Sequence, residues 1–413
     1  MATRRIFLKS SAMAMVGIGS TPLWLSRALY AADAPSPRKK ILVAIFQRGA
    51  VDGLNVVVPH GEQAYYDLRP TIAIPRPNNT LDAAIDLDGF FGLHPSLAPL
   101  KPIYDAGQLA IVEAVGSPDP TRSHFDAQDF MESGTPGRKA TSDGWLNRAL
   151  PPQPASKASP VRAVSMGPEL PRSLRGRNDA LAVNNLNDFQ VRDPRGASTF
   201  ESMYGSTADK VLNGTGRETF DAVKLMKSIQ AQTYTPANGA HYPNGRLGQS
   251  MMQIARLIKA DVGLEVAFTD VGGWDTHVNE VGAKPTVGQL ANLLNEFGQA
   301  LAAFHQDLGD RMADVAVVTM SEFGRTAKEN GDRGTDHGHA NVMFVMGGSI
   351  RGGKVYGDWP GMQTEQLYEN RDLNLTTDFR DILGELVTLH LGNRQVASVF
   401  PGYDRLQYRG LIV

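Results

Sequence analysis

The chain is predicted to be an α/β protein, with a mostly parallel central sheet flanked by helices and a cap region inserted within 136–246. Three observations predict it. Short apolar runs recur along the chain, and two of them, Val315–Thr319 and Val342–Met346, have the length and β-branched composition of buried parallel strands. Amphipathic helical patterns alternate with these runs, which is the α/β order. Acids, imidazoles and hydroxyls gather just past the ends of the apolar runs, where an open α/β sheet places its site.

The first residues read as an export leader. Thr3-Arg4-Arg5-Ile6-Phe7-Leu8-Lys9 resembles the twin-arginine signal, followed by the apolar run Ala12–Leu25 and the small residues Ala28, Ala31, Ala32 and Ala34 that suit signal peptidase. A run of about fourteen residues is shorter than the roughly twenty needed to span a bilayer, so no stable span is expected after cleavage; an N-terminal anchor is the alternative if cleavage fails. The resemblance implies a periplasmic or secreted protein that meets the twin-arginine export machinery already folded.

Cleavage after Ala34 leaves about 380 residues, enough for one large domain. The formal charge of −2 becomes about −5 with the leader gone, which argues against a nucleic-acid partner. The sequence has no cysteine, so disulfides, thiolate ligands and cysteine nucleophiles are excluded. Any metal must be held by oxygen and imidazole.

Ile41–Phe46 reads as a central strand and ends in an acidic turn with Asp52-Gly53, either a simple turn or a carboxylate at a strand end. Residues 60–108 are an excursion rich in proline and asparagine, and Leu109–Val115 returns as a strand. After it comes Arg122-Ser123-His124 at the start of a helical pattern. Ser123 there is either a nucleophile or an N-cap. Residues 136–246 differ in composition, with Pro151-Pro152-Gln153-Pro154 as a surface loop. Leu247–Ala260 is an amphipathic helix, Leu264–Phe268 a strand, and Gln289–Leu308 a second helix with Leu290, Leu294, Phe297, Leu301 and Phe304 on one stripe.

The strand Leu264–Phe268 runs into Asp275-Thr276-His277. Residues two apart in an extended segment point the same way, so Asp275 and His277 can reach one ion. The loop between Val315–Thr319 and Val342–Met346 carries Glu322, Arg325, Asp336, His337 and His339 among glycines. His124, His277, His337 and His339 thus place four of the chain's nine histidines past strand ends. Convergence at one sheet edge explains this better than four independent turns.

Taken together, QRGAVDGLNVVVP, RSHFDAQDFMESG, GGWDTH, MSEFGR and GTDHGHANVMFVMGG, with YGDWPG seven residues on, resemble the exported bacterial family called domain of unknown function 1501, over residues from about 40 to 391. That family looks like a branch of the alkaline phosphatase and sulfatase superfamily. The resemblance implies a metal-dependent hydrolase of phosphate or sulfate esters carried by a small molecule or a polymer. It casts Asp52 and Glu322 as ligands of one divalent ion and Asp275, His277 and His337 as ligands of a second, about 4 Å away. Ser123 or a water would attack, and Arg122 or Arg325 would clamp the transferred group.

Two departures stand against the superfamily pattern. Phe323 follows Glu322 where a histidine ligand is usual, leaving Asp336 or His339 to compensate, and Asp275 and His277 are closer in sequence than usual. Mixed oxygen and nitrogen ligation suits Zn²⁺ or Mn²⁺. The alternative is a non-catalytic exported binding or assembly protein on the same fold, with a decayed site.

Overall fold

A computed structural model describes residues 38–139, 141–152, 159–186, 225, 229 and 233–413. The expected leader, residues 1–34, lies outside the described residues. Among those described, no helix is long and apolar enough to cross a membrane.

A nine-stranded sheet carries the unit Lys40–Val413. Its strands are β1 (Ile41–Gln47), β2 (Leu109–Gly116), β3 (Ala163–Met166), β4 (Leu181–Val183), β5 (Val266–Val271), β6 (Val315–Ser321), β7 (Asn341–Gly347), β8 (Lys354–Tyr356) and β9 (Thr377–Asp378). The order across the sheet is β8-β2-β7-β6-β1-β5-β3-β4, with β9 also paired to β2. The fold is α/β with a mostly parallel sheet: β1 runs parallel to both β5 and β6, and β3 runs parallel to β4 and β5.

Strand β1 is buried on both faces because it lies mid-sheet. Val43 and Ile45 point into one core and Leu42, Ala44 and Phe46 into the other, the period-two alternation of a pleated strand. The first core is covered by α2 (Arg246–Lys259) and α3 (Gln289–Leu308), with α1 (His124–Ser133) lying earlier in the chain. Met251, Ile254 and Leu257 of α2 and Leu294, Phe297 and Leu301 of α3 are fully buried there; each such side chain contributes about 1.5–3 kcal/mol. The second core is closed by α4 (Phe379–Glu385) together with Trp145 and Phe400. Both expected helices are present, and α3 has the predicted ends.

Two expectations change. Val342–Met346 forms a strand, but β7 runs antiparallel to both neighbours, β6 and β2. A run buried on both faces has the same composition whichever way it points, so apolarity could not reveal the direction. In addition, the region expected to hold a cap, 136–246, supplies strand β3 and the edge strand β4; within it, 140, 153–158 and most of 187–232 lie outside the described residues.

The reversal of β7 positions the site. An antiparallel neighbour receives the chain at the edge where β6 releases it, so the loop from 322 to 340 stays at the carboxyl edge instead of crossing the sheet. Strand β5 and strand β2 end at that same edge.

Candidate metal centre

Three loops meet there. The segment after β2 runs to Ser123, whose side chain caps α1, and so sets His124 in the first turn of that helix. Strand β5 leads into Asp275-Thr276-His277, and the β6–β7 loop delivers His337. The loops press closely against one another at glycines. A Cβ on Gly334 would lie 2.3 Å from the carbonyl oxygen of His277, and one on Gly338 would lie 2.3 Å from the backbone of Arg325. Any side chain at either position would push the β6–β7 loop outward.

The side chains of His124, Asp275 and His337 each offer a ligand atom within 4.8 Å of the others, and His277 joins them. Nε2 of His337 lies 3.0 Å from Nε2 of His124 and 3.0 Å from Nε2 of His277. Asp275 Oδ1 is 3.0 Å from His277 Nε2 and 3.2 Å from His337 Nε2, while its Oδ2 is 3.5 Å from His124 Nε2. Ligands on a tetrahedral ion with bonds of about 2.0–2.1 Å would stand about 3.3 Å apart, close to the separations among His124, Asp275 and His337, with His277 beside His337 and Asp275.

The opposite nitrogen of each ring decides the tautomer. Nδ1 of His124 faces the Glu322 carboxylate at 2.8 Å, Nδ1 of His277 faces the Asp336 carboxylate at 3.2 Å, and Nδ1 of His337 faces the Arg122 carbonyl at 2.9 Å. All three partners only accept hydrogen bonds, so each Nδ1 carries a proton and each ring turns its Nε2 inward. Ring nitrogens 3.0 Å apart beside a carboxylate need either a shared proton or a metal ion between them. A proton on one ring satisfies two of these atoms, whereas a metal ion can satisfy His124, Asp275 and His337 together. Imidazoles oriented through Nδ1 by oxygen acceptors are the usual support of a metal centre. The residues therefore fit a divalent ion.

Buried charges fix the surroundings. Arg325 is completely buried; it donates to the carbonyls of Ala50, Gly49, Trp274 and Thr335, and to Asp275 Oδ1 at 2.6 Å. Desolvation pushes the Asp275 carboxyl upward, but the Arg325 hydrogen bond and charge outweigh it and hold its pKa below the usual value. Burial likewise opposes ionisation of Glu322, yet hydrogen bonds from His124, Gln128 and Gly49 keep its pKa low. Phe323 packs 5.0 Å from the rings of both His124 and His337 and walls the centre on the protein side. Asp275 is 44% exposed, so the centre opens to solvent past that carboxylate.

A second buried acid ties two of the loops together. Glu280 Oε2 accepts from Thr276, between Asp275 and His277, and from Thr335, two residues before His337, each at 3.0 Å. Burial, and then the nearby Asp52 charge, push the Glu280 pKa well above the ordinary carboxyl value.

Residues 39–395 match the model of a family described as "Protein of unknown function (DUF1501)". The chain belongs to that family. No curated protein matches this DUF1501 chain. Among solved structures it is similar to the PsFucS1 sulfatase from Pseudoalteromonas sp., at 13% identity and a TM-score of 0.42, over 94% of this chain and 76% of that one. It is also similar to a protein in the alkaline phosphatase superfamily from Vibrio parahaemolyticus (8% identity, TM-score 0.32, 78% of this chain and 63% of that one). A third is the lipoteichoic acid synthase LtaP from Listeria monocytogenes (10% identity, TM-score 0.30, 75% and 65%). The DUF1501 chain thus spans less than two thirds of the last two.

Of the residues singled out in the sequence, Asp275, His277 and His337 come together. Glu322 and Asp336 stand behind them as acceptors for His124 and His277, because their oxygens are turned to ring Nδ1 atoms. Asp52 is not part of the cluster. It is buried 17 residues before its partner Arg69, whose guanidinium grips it at both oxygens, 2.5 and 2.9 Å. An anion already closed by a fork of N–H donors has no geometry left for an ion beside the histidines.

Ser123 accepts from the Asp126 N–H at 3.5 Å, the cap rather than the nucleophile geometry. Arg122 is tied to Asp372 and Glu369 through Nε and Nη2, and Arg325 is spent on the loops, so both guanidiniums are engaged by protein acceptors. His339 is buried against Tyr368, with ring centroids 4.6 Å apart, and its ring packs there instead of joining the cluster. His124, absent from the ligand set expected from sequence, joins Asp275 and His337 in the cluster. The signal was present in its place beside the candidate Ser123, directly past a strand end.

Proposed function

We propose that this DUF1501 protein is an exported, metal-dependent hydrolase of phosphate or sulfate esters, with one His/Asp centre and water as the attacking group. The observation that carries it is the convergence of His124, His277, His337 and Asp275 with every ring Nδ1 held by an oxygen acceptor. A divalent ion held there, Zn²⁺ or Mn²⁺ by its donor set, supplies a Lewis acid and an activated water for ester cleavage. Arg325 keeps Asp275 ionised and aimed inward. Glu322 and Asp336 accept the Nδ1 protons of His124 and His277 and so turn the Nε2 atoms inward, and Phe323 excludes water from the rear. With the Ser123 hydroxyl engaged as a cap, the open side past Asp275 is where an ester would approach.

The test is metal content followed by turnover. Protein purified without chelator should hold about one divalent ion per chain, and His277→Ala should lose both the ion and the hydrolysis of an aryl phosphate, phosphodiester or sulfate ester. Metal-free wild type that does not take up Zn²⁺ or Mn²⁺ refutes the reading. Export is tested separately: replacing Arg4 and Arg5 by lysine should leave precursor in the cytoplasm, and unimpaired export removes the twin-arginine assignment.

One observation favours a second reading, a non-catalytic binding or assembly protein. Arg325 is wholly occupied by protein acceptors and Arg122 is ion-paired to Asp372 and Glu369, which weakens the cationic clamp expected for a transferred phosphoryl or sulfuryl group. Metal-loaded wild type that turns over no ester in the panel decides for that reading.

A further inference from the structure

A second cavity, of about 390 Å³, opens at the same sheet edge, beyond the ends of β3 and β5. Its walls include Arg48, Arg172, Arg175 and Arg246, with Glu132, Glu169 and Asp270 as the acids. The acids on the inner wall are saturated. Asp270 receives Arg48 Nε at one oxygen and Arg246 at the other, both at 2.6 Å. Glu132 receives Arg48 at 2.9 Å on Oε1 and the Ser173 N–H and hydroxyl on Oε2. Glu169 stands exposed at the rim.

The hydrogen-bonding capacity left over is donor capacity. Arg175 spends only its Nε, on the Leu170 carbonyl, and Arg246 spends only one terminal nitrogen. Arg172 is held by Asp129 and the Thr141 carbonyl, but its Nε is buried without a partner. Burial lowers the Arg172 pKa and the neighbouring Arg175 charge lowers it further, so these guanidiniums face each other without full compensation.

A relay of hydrogen bonds links the cavity wall to the His/Asp cluster. Arg48 bonds Gln128 at 3.0 Å, Gln128 bonds Glu322 at 2.8 Å, and Glu322 holds His124. We propose that this cleft is a binding subsite for an oxyanion, a carboxylate, sulfate or phosphate group carried by the same substrate whose ester meets the His/Asp centre. The link to the substrate rests on the hydrolase reading; the anion binding itself does not. Guanidinium forks with unused N–H groups recognise planar and tetrahedral oxyanions, and a cleft of this size takes one charged sugar ring or a comparable group.

The probes are inorganic phosphate, inorganic sulfate and glucuronate, titrated calorimetrically into wild type, Arg175→Ala/Arg246→Ala and His277→Ala. Both arginines are exposed, so the double variant should fold, and its melting temperature checks that it does. At least one probe should bind wild type with one equivalent, bind His277→Ala equally well, and lose tenfold or more in affinity in the double variant. The probe that binds names the oxyanion. No binding of any probe to wild type overturns the proposal, as does undiminished binding to the double variant. Loss of binding in His277→Ala also overturns it, by placing the anion at the metal centre. None of these outcomes depends on turnover, so a failed ester assay leaves the subsite result standing.

Discussion

Nε2 of His277 and Nε2 of His337 face each other at 3.0 Å, although 60 residues separate them and each ring's other nitrogen is bound to an oxygen acceptor. Two imidazole nitrogens so arranged need a shared proton or a metal ion between them. The pair therefore states the chemistry of the site more directly than any motif.

Removing an oxygen from behind a ring should weaken the centre without unfolding it. Asp336→Ala leaves Nδ1 of His277 without its acceptor at an exposed position. Zn²⁺ affinity, measured by competition with a chromophoric chelator, should fall by roughly 10–100-fold while the melting temperature of the metal-free protein holds. Equal affinity for wild type and variant would remove Asp336 from the support of the centre.

Asp52 should behave as half of a structural ion pair. Asp52→Ala strands the buried Arg69 and should cost about 3–5 kcal/mol in urea unfolding. Metal bound per folded chain should stay unchanged. A variant of wild-type stability that lacks metal would restore the ligand role suggested by the sequence.

Ser123 should behave as a cap. Ser123→Ala should lose about 1 kcal/mol of stability and Ser123→Asp almost none, since aspartate accepts the same N–H. Any ester turnover shown by wild type should persist in Ser123→Ala. Its abolition with metal content intact would make the hydroxyl the nucleophile after all.

His390 predicts acid sensitivity far from the site. Burial, set against its hydrogen bond to the Ile41 carbonyl, lowers its pKa from 6.5 to about 4. The unfolded chain then takes up this proton first as pH falls. The contribution to stability is complete above pH 6.5 and is lost between there and about pH 4, amounting to about 3 kcal/mol. In His390→Gln, which retains a donor for Ile41, the fall in unfolding free energy from pH 6.5 to 4 should be smaller by about that amount. A slope identical to wild type would show that His390 does not titrate in this window.

The local order of the chain was readable from residues alone. Period-3.6 stripes marked Gln289–Leu308, and continuous apolar runs marked β1, β2 and β6, because burial on one or both faces selects those patterns directly. Asp275, His277 and His337 were legible as a trio because each stands just past a strand end. What sequence could not show was how those ends are paired in space. The direction of β7 leaves no trace in composition, yet it keeps the Glu322–His339 loop at the site edge. Arg69 lies 17 residues from Asp52, and only folding closes that fork and withdraws the carboxylate from the metal centre. His124 looked like an accessory to Ser123 until the start of α1 turned its Nε2 toward His337 and its Nδ1 toward Glu322. Ligand identity depends on which side chains point at one another across hundreds of residues, and that direction is set by tertiary packing.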